Sequence, residues 1–187
     1  MTTTVLIFAI GNESRGDDAL GPVLLRKLGV RLNSAEWKGM QSSAVQFELL
    51  EDFQLQVEHV MDMQDRKLVL FIDAGMDTPP PFSFYRVQTS DEPVLYSHAL
   101  APESLLKVYE QFHRQPAPDA FVLCIRGEQF ELGELPSPPA ETHLASALEF
   151  AGQLLLEAEV TAWDRLCTLE SPVTSIRSAH ETSHIVR

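Results

Sequence analysis

Val5-Leu6-Ile7-Phe8-Ala9-Ile10-Gly11-Asn12-Glu13-Ser14-Arg15-Gly16-Asp17-Asp18-Ala19-Leu20-Gly21 reads as a strand, a tight polar loop and the start of a helix. The opening run from Val5 to Ile10 is apolar without alternation, the composition of a strand covered on both faces. Gly11-Asn12 breaks it. From Asp17 onward, Leu20, Val23, Leu24 and Leu28 recur at three- and four-residue spacing, and Asp17 is placed to cap the helix they define. Strand, loop and helix in this order predict an open α/β sheet, whose ligands sit beyond the carboxyl ends of the strands.

The loop is therefore the first place to look for chemistry. Gly11, Gly16 and Gly21 fit neither the dinucleotide fingerprint nor a P-loop, which ends in Lys-Ser/Thr. Asp17 and Asp18 stand where a phosphate would dock, and two carboxylates repel a phosphate but attract a metal ion. The plainer account, equally open at this point, is that Asp17 caps the helix and Asp18 answers its dipole.

The rest of the chain repeats the pattern. Val45 to Leu50 alternates like a shorter strand nearer a sheet edge, and Gln54 to Gln64, with Leu55, Val60, Met61 and Met63, predicts a short helix. His59 on that helix is read as exposed or packed, and as a supporting residue rather than a ligand. Lys67 to Gly75 is a second strongly apolar strand that stops on Asp73. A carboxylate there is costly to desolvate unless it is paired or meets a cation, which favours a functional Asp73 over one that only accepts backbone hydrogen bonds.

Phe82 to Val87 predicts the next strand, and His98 stands in the loop before a helix from about Glu103 to Phe112. Ala120 to Gly127 is a further buried strand, Glu128 to Leu132 a short extension of it, and Ala140 to about Glu159 a final amphipathic helix. The expected architecture is a single three-layer α/β domain, residues 1–159, with a twisted, mostly parallel sheet of about five strands flanked by helices. Residues 160–187 have weak periodicity and are read as an appended tail.

Asp18, Asp73 and His98 follow the first, third and fourth strands. Adjacent strands are about 4.8 Å apart, so side chains at their ends can converge. Two carboxylates and an imidazole suit nickel, zinc, manganese or iron. His180-Glu181-Thr182-Ser183-His184 matches the His-Glu-x-x-His pattern of zinc peptidases, but Ser171-Pro172-Val173-Thr174-Ser175 is a poor helix start and nothing after His184 leaves room for a third ligand. It is read as a chance match.

Composition narrows the partners. At 187 residues and 44% hydrophobic, the chain has enough material for one full core. A formal charge of −13 argues against nucleic acid and anionic membranes. With no membrane-spanning run and no signal-peptide pattern, a cytoplasmic location is expected. Cys124 and Cys167 have no paired spacing and are expected as unpaired thiols.

Gly11-Asn12-x4-Asp17-Asp18-x2-Gly21, Phe71-Ile72-Asp73-Ala74 and Ser97-His98 together resemble the maturation endopeptidases of nickel-iron hydrogenases. Arg126-Gly127-Glu128 and Gly133-Glu134-Leu135-Pro136-Ser137-Pro138 extend the resemblance over roughly residues 4–157. It implies an endopeptidase that removes the C-terminal extension of a hydrogenase large-subunit precursor after nickel insertion. It further implies that Asp18, Asp73 and His98 recognise the nickel, which the substrate supplies, and that no serine or cysteine nucleophile is needed. Asp17 is left to capping and loop geometry, and Asn12 to holding the turn. The resemblance departs at Glu51 to His59, where many relatives have a glycine-rich turn; this stretch looks like the variant associated with soluble, cofactor-coupled hydrogenases. The alternative from another class is a non-catalytic nickel and hydrogenase assembly chaperone with the same three ligands.

Overall fold

The computed structural model describes residues 3–40, 44–89 and 100–168. Five strands form one sheet: β1 (Thr3–Ile10), β2 (Val45–Asp52), β3 (Leu68–Gly75), β4 (Phe82–Arg86) and β5 (Asp119–Arg126). Their spatial order is β2-β1-β3-β5-β4, with all neighbours parallel except β4, which runs antiparallel to β5 at one edge. The helices are α1 (Leu20–Asn33), α2 (Ala35–Met40), α3 (Pro102–His113), α4 (Pro138–Leu156) and α5 (Val160–Leu166). This is the α/β class and the three-layer arrangement that the apolar runs predict.

The alternation hidden inside those runs separates two cores. Val5, Ile7 and Ala9 of β1 and Leu68, Leu70 and Ile72 of β3 face α1, α4 and α5. Leu6, Phe8 and Ile10, with Val69 and Phe71, face α3 and the segment around Val60. Both faces are covered, so no polar residue is required in the strand interiors and the sequence reads as continuously apolar. β2 lies at the open edge with half its residues exposed, hence its alternating composition.

Four local expectations are corrected. Between Gln54 and Gln64 there is only a 3-10 turn, Val57–Val60; the chain then turns through Asp65, whose φ of +61° is left-handed and stops any continuing helix. Glu128 to Leu132 is a loop rather than a strand extension. The helix after the first loop starts at Leu20, preceded by a 3-10 turn over Gly16–Ala19, and Asp17 makes no capping bond to it. The packing also continues past residue 159: α5 buries Trp163 completely against Phe84 and Phe121, and its indole N–H donates to the Leu154 carbonyl at 2.9 Å. Seven residues were too short a helix for periodicity to reveal.

From β1 the chain moves outward to β2 and then returns to the other side of β1 as β3. The crevice of such a sheet lies where the order reverses, outside the carboxyl ends of β1 and β3. Among the described residues, no helix is long and apolar enough to cross a membrane.

Candidate active site

The β1–α1 loop is folded tightly over that crevice. Gly11 has φ +146°, and a side chain on it would collide with the Asp18 carbonyl oxygen. Asn12 organises the turn: its side-chain oxygen accepts from Ser14 N–H at 2.9 Å and its carbonyl from Arg15 N–H at 3.0 Å. Its own N–H donates to Asp18 Oδ2 at 3.0 Å. At Gly21 the absent side chain lets α1 rest directly on the carbonyls of Ile10, the last residue of β1, and of Ile72 in β3. Asp18 is thereby set over the switch point.

Asp73 reaches the same point from β3. Ala9 pairs with Ile72, one residue short of it, and Cys124 of β5 lies on its other side. One carboxyl oxygen accepts from Ala74 N–H at 2.7 Å, and no ion pair forms to it among the described residues. Burial pushes its carboxyl up to about 7, the Ala74 hydrogen bond opposes that, and the negative charge of Asp18 adds to it. Asp18 and Asp73 thus form a pair of carboxyls within each other's field. Arg26 pairs with Glu13 at 2.7 Å and Glu51 at 3.3 Å, and Arg126 grips Glu128 through two nitrogens at 2.8 and 2.9 Å. This electrostatic setting suits a cation and not a phosphate.

Sequence reasoning missed one acid nearby. Glu103, in the first turn of α3, has its pKa raised by burial. It and Asp73 both act on the buried Tyr85 of β4, whose hydroxyl is held well above its ordinary value, first by burial and then by the charges of Cys124, Glu103 and Asp73. Only the fold brings these residues to one face. Asp17 serves loop geometry, as read from the sequence, and not as a cap: it is wholly buried and accepts four hydrogen bonds from a distant loop, Glu128 N–H at 2.7 Å, Gln129 N–H at 3.1 Å, Ser137 N–H at 2.6 Å and the Ser137 hydroxyl at 2.7 Å.

The remaining candidates sort plainly. His98 lies outside the described residues, as does His180-Glu181-Thr182-Ser183-His184. The analogy that placed His98 at a strand end does not hold, because β4 is antiparallel: Arg86 at its end pairs with Phe121 and bonds Asp119, at the opposite end of the sheet. Leu100, the first described residue after His98, donates to the Leu55 carbonyl, just beyond the end of β2. His59 is buried edge-on to Phe8, with Nδ1 accepting from Gln56 N–H at 2.9 Å and Nε2 facing Asp52 at 3.2 Å, so it braces the loop after β2. Cys124 and Cys167 are free thiols. Burial pushes the Cys124 thiol up to about 12 and it contacts Thr78 Oγ1 at 2.9 Å, which makes it a poor nucleophile. Among the described residues no group of three or more His, Cys, Asp or Glu side chains is placed to hold a metal ion; Asp18 and Asp73 supply two carboxylates.

No protein-family profile matches the chain, and no curated protein matches it by sequence. Solved structures do. The hydrogenase maturation protease HycI of Thermococcus kodakarensis KOD1 is similar at 21% identity and a TM-score of 0.58, over 82% of this chain and 92% of its own. The hydrogenase maturating endopeptidase HybD of E. coli is similar at 20% identity and 0.59, over 84% and 94%. A hydrogenase 2 maturation peptidase from a Thaumarchaeota archaeon is similar at 18% identity and 0.54, over 82% and 98%. Over more than four fifths of its length, this chain has the fold of the nickel-iron hydrogenase maturation proteases.

Proposed function

We propose that this chain is an endopeptidase that removes the C-terminal extension of a nickel-iron hydrogenase large-subunit precursor once nickel has been inserted. One observation carries the reading: Asp73, a carboxyl near the carboxyl end of β3 pushed up to about 7 with no cation paired to it among the described residues, sits at the switch point within the field of Asp18. Two carboxyls within each other's field, one of them desolvated, suit a metal ion brought from outside. The shared fold with hydrogenase maturation proteases supports the identity of the substrate.

In this mechanism Asp18, Asp73 and His98 meet the nickel of the precursor. Asp73 gives up its proton to bind it, so the carboxylate pair answers a finished metal centre and not an empty one. The substrate's nickel then acts as a Lewis acid on the scissile carbonyl or on an attacking water, with Asp18 as the base within reach. The poor nucleophilicity of Cys124 is consistent with attack by water.

Intact mass of the precursor, incubated with the protein with and without nickel, tests the reading. Loss of one C-terminal peptide only in the nickel sample is expected. A stable complex with unchanged mass would replace the peptidase with an assembly chaperone.

A further inference from the structure

Asp17 is more strongly held than a helix cap needs to be. A cap accepts a bond from the first turn of its own helix, whereas Asp17 has no exposed surface and accepts four bonds from the segment 128–137. All four partners are donors, so a carboxylate satisfies them and an amide would set an NH2 group against an N–H. The backbone repeats the tie: Asp17 N–H donates to the Gln129 carbonyl at 2.7 Å, Gly16 N–H to Glu134 at 3.1 Å, and Gly133 N–H to Ser14 at 2.7 Å. Two irregular loops, more than a hundred residues apart in sequence, are thus fastened as one body around a single carboxylate.

Asp18 is the next residue in the same short turn. Its carboxylate accepts the Asn12 N–H, which closes the turn on itself. A loop that held Asp18 only through solvent-facing backbone would leave that carboxylate loosely placed, and reacting groups need to be held to within about 0.5 Å. We propose that Asp17, with Ser137, is a positioning residue: its buried carboxylate locks the 128–137 loop onto the β1–α1 turn and so fixes Asp18 over the crevice. The consequence for cleavage rests on the endopeptidase reading; the positional claim does not.

The test compares the full-length protein with its Asp17→Asn and Ser137→Ala variants, by single-turnover cleavage of the nickel-loaded precursor and by residue-resolved amide exchange. Asp17→Asn is expected to keep a cooperative melt and precursor affinity within about threefold, while cleavage slows on the order of 100-fold, the cost of a small misplacement of a reacting group. The Asn12 amide then exchanges faster while the amides of β3 keep their protection. Ser137→Ala, which removes only the hydroxyl bond, shifts both readouts the same way by less, and it decides the matter if Asp17→Asn does not fold. Cleavage at the wild-type rate, an Asn12 amide as protected as in the wild type, or equal loss of protection through β3 overturns the proposal. If the wild-type protein leaves the precursor uncut, the endopeptidase reading fails, and Asn12 exchange alone then supports or overturns the positioning role.

Discussion

Asp73 carries a stability cost that depends on pH. An unfolded aspartate loses its proton near pH 4, while the folded protein retains it until about 7 because burial disfavours the charge. Between those values the folded state holds a proton that the unfolded state has released. The stabilisation is therefore full below about pH 4 and is lost as pH rises through about 7. Asp73→Asn removes this dependence. Without metal, its melting temperature relative to wild type is expected to rise by several degrees between pH 5 and pH 8; a difference that stays constant with pH would contradict the assignment. Cys124 makes a second residue-level test. Its buried thiol, held up at about 12, is expected to resist alkylation at pH 8 in the native protein and to react once urea unfolds it, as read by mass.

Elements in this protein hold the site by close backbone approach and by large buried side chains. Gly21→Ala would drive a methyl group into the Ile10 carbonyl and against that of Ile72, backbone atoms that cannot swing aside. A loss of about 1–3 kcal/mol is expected, the usual cost of overpacking, measured by urea unfolding. Trp163→Ala leaves a cavity between α5, Phe84 and Phe121 and loses the indole bond to Leu154, with an expected cost of about 3–5 kcal/mol. A value below 1 kcal/mol would mean that α5 is an appendage after all. β1, β3 and β5 were legible because burial on both faces leaves a long apolar run. The Val57 turn and α5 were not, because neither is long enough to show a period. Asp17 looked like a cap because its true partners, Glu128, Gln129 and Ser137, are distant in sequence and nothing local points to them.

At the scale of the whole molecule, the order β2-β1-β3-β5-β4 makes one crevice, and the two acids singled out from the sequence fall on either side of it. That much was legible because a carboxylate near the end of an otherwise apolar strand is hard to explain by packing. The antiparallel direction of β4 was not, since an apolar alternation carries no sign of which way its strand runs, and the strand-end argument for His98 failed with it. Nickel-dependent cleavage by the proposed Asp18–Asp73 pair is read out by single-turnover intact-mass measurements on nickel-loaded precursor. One C-terminal peptide released by the wild-type protein is expected, with release slowed on the order of 100-fold or more in Asp18→Ala and in Asp73→Ala. Wild-type release by both folded variants would contradict it.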